Sequence, residues 1–144
     1  MIYISKFIAK LRGFHEVPRV RTNAKGIAFF ISKHWHNHLK LKFLVKVENI
    51  RNVTKIDLHL GERGHNGPVV ATLFESSKCK KSVHRKIFRG VLTRKDLEGP
   101  LRGLSLRFLL REIRNHNVYV NVHTKQHPNG EIRGQIKSIE RPRS

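Results

Sequence analysis

The sequence predicts a mainly all-β protein, an antiparallel Greek-key β-sandwich of about seven to eight strands with one short amphipathic helix near residues 105–115. Apolar and polar side chains alternate through most of the 144 residues, as they do in strands that bury one face. Turn signals separate these runs at short intervals, which favours a sandwich. Residues 1–137 are expected to form a single domain, followed by a basic C-terminal tail at 138–144.

Seven alternating segments are predicted as strands. In the clearest, 39–47, large apolar residues alternate with lysines. The first, 3–13, is predicted to be an edge strand, because its outward lysines would discourage edge-to-edge pairing with another chain. The remaining predicted strands are 25–32, 53–60, 69–74, 118–123 and 131–136.

The segment 78–95 interrupts this alternation. It contains eight lysines and arginines and no acidic residue, so it is predicted to be a surface excursion that is mobile at 76–83. The only cysteine, Cys79, lies among these lysines, and no motif supports a role for it as a nucleophile. A single cysteine excludes an internal disulfide and a cysteine-based zinc site.

Two helical features follow the basic segment. Thr93 and Asp96 form a capping-box pattern, which opens one helical turn before Gly99 and Pro100 end it. Apolar residues at helical spacing over 104–115 then predict an amphipathic helix with an arginine stripe on its other side. Ser105 is placed to cap this helix.

The stretch 118–136 is the least generic part of the chain. Two alternating runs are joined by Pro128-Asn129-Gly130, which is turn chemistry, so an antiparallel hairpin is expected. Its polar face has two interpretations, a solvated outer surface or an ordered network that braces the hairpin against the loop 59–68. The polar residues of this face are Tyr119, Asn121, His123, Glu131, Arg133 and Gln135.

The charge is the outlying property of the composition. Thirty lysines and arginines against ten acidic residues give a net charge of +20, which favours polyanionic partners such as nucleic acid, anionic cell-wall polymer or an anionic membrane surface. Aromatic residues are not interleaved with the cations, so binding is expected to be electrostatic, salt-sensitive and sequence-blind. The candidate polyanion-binding residues are Lys40, Lys42, Lys46, Lys80, Lys81, Arg85, Lys86, Arg107, Arg111 and Arg114.

The N-terminal residues bear on the compartment. No apolar run approaches the ~18 residues of a membrane-spanning helix. Residues 1–10 lack the long apolar core of a signal peptide. The sequence as it stands predicts a cytoplasmic protein, and a start that omits an export signal would instead place it outside the cell or at its surface.

Four segments, in this order along the chain, resemble the CHRD domain family, the modules found in chordin and in many microbial proteins. They are LRGFHEVP (11–18), HLGERGHNGPVV (59–70), LTRKDLEG (92–99) and YVNVHT…HPNGEIRGQI (119–136). The resemblance covers nearly the whole chain, and the last segment is the most specific. It implies an all-β domain that acts as a non-catalytic structural or binding module. The glycine-loop residues that it singles out are His59, Gly61, Gly64, Asn66, Gly67 and Pro68.

Many members of the family carry His-x-His before the glycine loop. This chain departs from that pattern, with Asp57-Leu58-His59 at the same place. If strands 53–60 and 118–123 are neighbours, Asp57, His59 and His123 could bind zinc or copper, with His65 and His127 in nearby loops. The alternative is a metal-free polar cluster in which His123 bonds to Glu131 or Asn121 and Arg133 braces the loop. The leading expectation is no cofactor.

Sequence motifs bear on two further kinds of chemistry, which are adventitious metal chelation and catalysis. The segment His34-Trp35-His36-Asn37-His38 has three alternate histidines, which can chelate a transition metal adventitiously, but its place between two strands favours a hairpin tip. No nucleophile-elbow, phosphate-loop or HExxH motif is present. The sequence therefore predicts a protein that is not an enzyme.

Overall fold

The computed structural model describes residues 1–76 and 85–139 of the chain. Within them, nine strands and one α-helix are present. The strands are β1 (Ile2–Arg12), β2 (Lys25–Trp35), β3 (His38–Glu48), β4 (Val53–Leu60), β5 (Val69–Glu75), β6 (Ile87–Leu92), β7 (Val118–Thr124), β8 (Ile132–Gln135) and β9 (Lys137–Ser138), and the helix α1 spans Leu106–Arg114. The predicted mainly all-β class with one short helix is confirmed.

All strand pairings are antiparallel, and the strands form one continuous sheet in the order β5-β4-β7-β8-β1-β2-β3-β6, with β9 beside β1. Strand β1 corrects the prediction of an edge strand at 3–13, because it lies inside the sheet between β8 and β2. The sheet curls until its two ends approach each other. Phe74 on β5 and Phe88 on β6 have ring centroids 4.8 Å apart, and Ala71 pairs with Leu97 in an isolated bridge. The inner faces of both halves of the sheet surround one apolar core.

For residues 87–92, strand β6 corrects the prediction of a surface excursion, because Ile87–Leu92 pairs with β3 along its length. Residues 77–84, most of the stretch predicted to be mobile, lie outside the described residues. Phe88 and Leu92 point into the core. Gly90 lies between them, and the ring of Phe43 covers it so closely that an added Cβ would stand 2.7 Å from a ring atom. The glycine and the outward apolar residues on this strand hide its alternation. Cys79, Lys80 and Lys81 lie outside the described residues.

Helix α1 packs four buried apolar residues against one end of the core: Leu106, Leu109, Leu110 and Ile113. As predicted, the side chain of Ser105 caps it, accepting a hydrogen bond from the backbone N–H of Arg107 at 3.2 Å. The predicted turn at Arg94–Asp96 is also present, and the Asp96 carboxylate accepts from the Thr93 N–H at 2.8 Å.

The long strands β1, β2 and β3 extend beyond the core. The tip of the β2–β3 hairpin carries Trp35, which is 52% exposed. The ring of His36 lies 4.3 Å from the Trp35 ring, centroid to centroid. This agrees with the prediction of a hairpin tip at 34–38. The start of the predicted C-terminal tail is ordered, because Ser138 pairs with β1, as does Lys137 just before it. Residues 140–144 lie outside the described part of the chain.

The other half of the sheet, β4, β7 and β8, is covered on both faces. Its inner face meets the core, and its outer face lies under the loops 13–24 and 61–68. Residues of β7 are therefore buried on both sides of the strand. Alternation alone predicts that the outer face of these strands is solvated. Because the loops cover it, this face is instead an enclosed polar layer.

Candidate functional site

The polar layer is centred on Tyr119 of β7, which is 2% exposed. The ring of His59 stacks on it with centroids 4.9 Å apart and planes 6° from parallel. The guanidinium carbon of Arg133 lies 3.5 Å from the centroid of the same ring, a favourable cation–π contact. The Tyr119 hydroxyl accepts a hydrogen bond from the Gly67 N–H at 3.1 Å, and burial raises the pKa of Tyr119.

Arg133 holds the glycine loop from beneath. Its Nη1 donates to Asn66 Oδ1 at 2.8 Å, and its Nη2 donates to the backbone carbonyl oxygens of His65 and Glu62. Burial lowers the pKa of Arg133. Beside it, Gln135 donates to the carbonyl oxygen of Gly61 at 2.8 Å. The loop is thus fixed to β8 through its backbone and through Asn66.

Asp57 lies between two histidines, one on its own strand and one on the neighbouring strand. His59 Nε2 is 2.7 Å from Asp57 Oδ1, and His123 Nε2 is 3.0 Å from Oδ1 and 3.2 Å from Oδ2. In the β4–β7 register, Lys55 is opposite His123 and Asp57 is opposite Asn121. This pairing brings the side chains of Asp57, His59 and His123 together. Lys55 Nζ approaches Asp57 Oδ2 at 3.6 Å.

The environment of Asp57 favours its charged form. Burial alone would raise the pKa of Asp57, but hydrogen bonds from His123 and His59 outweigh it and lower that pKa to about 2. For His123, burial acts to lower the pKa, but the hydrogen bond and charge of Asp57 raise it above its ordinary value. The carboxylate therefore remains an anion, able to hold a cation, throughout the neutral range.

Glu131 is bound by threonines. Its Oε1 accepts from the Thr124 hydroxyl at 2.8 Å, and its Oε2 accepts from the Thr22 hydroxyl at 2.7 Å. The metal-free interpretation expected His123 to bond to Glu131 or Asn121, and the structure shows other partners for it. It bonds instead to Asp57 and, through Nδ1, to the Pro128 carbonyl oxygen at 2.8 Å.

Two buried oxygens in this layer have no hydrogen-bond partner among the described residues, Glu16 Oε2 and Asn121 Oδ1. Both border Gly130, where an added Cβ would stand 2.6 and 2.4 Å from them. Gly130 also has φ +124°, a conformation that side-chain-bearing residues rarely adopt. Burial raises the pKa of Glu16 to about 7, against opposing charges that include Arg133.

The predicted site residues therefore divide into groups. The hairpin residues and most of the glycine loop form one layer, but Gly64 has no atom within 4 Å of an added Cβ and lies outside the contacts. His65 pairs weakly with Glu62 at 3.5 Å and is not part of the Asp57 group. Sequence reasoning missed the roles of Glu16, Thr22 and Thr124, although Glu16 and Thr124 lie in two of the four family-like segments.

The cations of the sheet form a surface of their own on the outer side of β1, β2, β3 and β6. We call this surface the lysine face, and its members, all exposed, are Lys6, Lys10, Lys33, Lys40, Lys42, Lys46 and Arg89. Lys33 and Lys40 are directly opposed across β2 and β3. Among the outward residues of these four strands only Glu48 is acidic, and it lies at one end, 3.5 Å from Lys25.

The arginines of α1 lie on a different surface. Arg107, Arg111 and Arg114 border a groove of about 470 Å³ between the helix and the ends of β1 and β2. Arg107 Nη2 is 3.3 Å from His34 Nε2, and Arg114 Nη2 donates to Ser5 Oγ at 3.3 Å. None of the ion pairs in the described part of the chain involves an arginine.

Arg85 lies over Phe74 and Phe88, 5.5 Å from each ring centroid.

An antiparallel, nearly closed β-fold with its polar layer held under loops defines a small all-β module. The family model of the CHRD domain matches residues 7–136, which is nearly the whole chain. The chain belongs to the CHRD domain family, as its four sequence segments predicted. Domains of this family are in general non-enzymatic binding modules. No curated protein and no solved structure was found to match the chain.

Among residues 1–76 and 85–139, no helix is both long and apolar enough to cross a bilayer.

Proposed function

We propose that this CHRD domain is a non-catalytic binding module that associates with anionic polymers or surfaces through the lysine face. The observation that carries the proposal is the charge of that face, where seven exposed cations share four strands with one acidic residue at the rim. Three acidic residues that could compensate these charges lie away from this face. Glu16, Asp57 and Glu131 are buried in the polar layer on the other half of the sheet.

The pairing of the strands keeps these cations close together. Directly opposed residues on antiparallel strands have Cβ atoms about 4.5–5.5 Å apart, and like charges there repel. Lys33 and Lys40 stand in this relation. An anionic ligand relieves the repulsion and releases the counterions that otherwise screen it, so binding weakens as salt rises.

Apolar side chains lie between the lysines. Phe29 and Leu44 are directly opposed and half-buried, and Ile87 and Val91 on β6 are exposed. The stems of the lysines extend along such surface while their ammonium groups remain in water. The face therefore offers a row of ammonium groups held along paired strands, which suits an electrostatic contact that does not depend on base sequence.

The test is binding of the full chain to heparin, duplex DNA, anionic wall polymer and anionic vesicles across a salt series. The substitutions K40Q/K42Q/K46Q remove three charges from the lysine face. R51Q/R102Q/K125Q remove three exposed charges from outside it and form the matched control. A plot of log K for DNA against log salt has a negative slope, and each phosphate contact contributes about 0.9 to its magnitude. The first variant is therefore expected to make this slope shallower by about 2–3.

The control variant is expected to retain nearly the wild-type slope. Equal losses in both variants would assign the binding to net charge rather than to this face. Absence of binding at low salt would refute the proposal altogether. A third variant, R107Q/R111Q/R114Q, measures how much the helix groove adds.

A further inference from the structure

We propose that Asp57, His59 and His123 bind one divalent cation of the zinc or copper class. One carboxylate oxygen and one nitrogen from each imidazole lie within 4.8 Å of one another. The site is separate from the lysine face, and its existence does not depend on anionic binding. It lies on the outer side of β4 and β7, in the half of the sheet that the loops cover.

The hydrogen bonds of the two histidines carry the inference. His59 Nδ1 is 2.8 Å from the carbonyl oxygen of Gly67, and His123 Nδ1 is 2.8 Å from that of Pro128. A carbonyl oxygen can only accept, so both Nδ1 atoms hold the ring proton. In a neutral imidazole the Nε2 atom is then an unprotonated acceptor.

Both of these Nε2 atoms point at Asp57, whose ionised carboxylate also only accepts. Without a metal, each ring has to carry a second proton to make the hydrogen bonds to Asp57 described above. If the rings are neutral, three acceptors converge with no hydrogen between them. One shared metal cation satisfies all three and leaves both rings neutral. Donation of Nδ1–H to a backbone carbonyl is also the arrangement that orients metal-binding histidines.

The geometry fits a small cation with modest adjustment. Zinc bonds to imidazole nitrogen and carboxylate oxygen are about 2.0–2.2 Å, so tetrahedral ligands stand about 3.3 Å apart. The observed separations from Asp57 Oδ1 are 2.7 Å to His59 Nε2 and 3.0 Å to His123 Nε2. The carboxylate has to retreat from His59 by about 0.6 Å, which a side-chain rotation provides. The two imidazole nitrogens, which lie within 4.8 Å of each other, also have to settle about 3.3 Å apart around the ion.

The surroundings support access as well as rigidity. All three residues border a cleft of about 1020 Å³, which is also lined by Lys55 and Pro128. Three protein ligands beside an open cleft leave a fourth position for water or a small anion, as in open zinc sites. The stack of His59 on Tyr119 fixes the orientation of one ring before any ion binds.

The test titrates Zn²⁺ into untagged full chain that has been freed of metal with a chelator. One equivalent is expected to bind and to raise the melting temperature by several degrees, since a ligand that binds only the folded state stabilises it. Co²⁺ in its place should give the absorption of a tetrahedral site. In H59A/H123A the affinity should fall at least ~100-fold, because substituting even the outer partners of metal ligands costs about 10–100-fold.

The matched control is H36A/H38A, which removes two histidines from the hairpin tip and should leave the affinity unchanged. Because alanine at 59 also removes the stack on Tyr119, D57N supplies a nearly isosteric second test, with binding at least ~10-fold weaker. Absence of stoichiometric Zn²⁺ in the wild type overturns the proposal. Binding that survives in H59A/H123A, or that is lost in H36A/H38A, overturns it equally.

Discussion

Replacing Glu16 by glutamine should stabilise the protein at neutral and alkaline pH. The Glu16 side chain is 6% exposed, and its Oε2 has no hydrogen-bond partner within the described residues. Glutamine has nearly the same shape and no charge. The substitution therefore removes the cost of burying the carboxylate while preserving the packing beside Gly130.

The magnitude follows from the pKa. Burial raises the pKa of Glu16 from 4.5 to about 7, so the folded state binds this proton more tightly than the unfolded state does. The resulting stabilisation is complete below about pH 4.5 and is lost as the pH rises through about 7. At pH 8 the wild type should have lost about 3 kcal/mol of unfolding free energy through this group, because each pKa unit corresponds to about 1.4 kcal/mol.

The measurement is urea unfolding of both proteins at pH 4, 5.5, 7 and 8, with a chelator present so that metal binding does not contribute. The unfolding free energies should nearly coincide at pH 4, and that of E16Q should exceed the wild-type value increasingly toward pH 8. A difference that does not change with pH would refute the reasoning. So would a variant that is less stable than the wild type at pH 8.

Three further substitutions test the polar layer by chemical denaturation. R133M should lower the unfolding free energy by about 3 kcal/mol, because it leaves Asn66 and loop carbonyl groups without their donor; a loss under about 1 kcal/mol would contradict this. Y119F should cost about 1 kcal/mol by removing the acceptor of the Gly67 N–H, and no loss would show that this bond is not needed. G67A should cost over about 3 kcal/mol, since its Cβ would lie 1.7 Å from the Leu60 carbonyl oxygen, and wild-type stability would contradict the observed backbone.

Local pattern was sufficient for most of the fold. The strand 39–47 alternates at every position except Leu44, and the structure has β3 at His38–Glu48. The helix was visible because its apolar spacing changes and Ser105 precedes it. Strand β6 was missed because Gly90 takes the place of an inward side chain, and the aromatic ring that fills its space comes from Phe43, far away in the sequence.

The candidate site was less predictable, for a physical reason. Alternation tells which face of a strand is opposite the core, but it does not tell whether a distant loop covers that face. Asp57, between Ile56 and Leu58, has the pattern of a solvated residue and is 1% exposed. Its contact with His123 depends on the β4–β7 pairing, which the sequence offered only as a condition.

The exposed hairpin tip gives the protein a built-in optical probe. Trp35 is the only tryptophan, and it lies on the same side of β2 as Lys33, two residues away. Its emission therefore reports the surroundings of the tip and changes little when the distant core melts. Unfolding is better followed by circular dichroism, while the indole signal can register the arrival of a ligand on the lysine face without any added label.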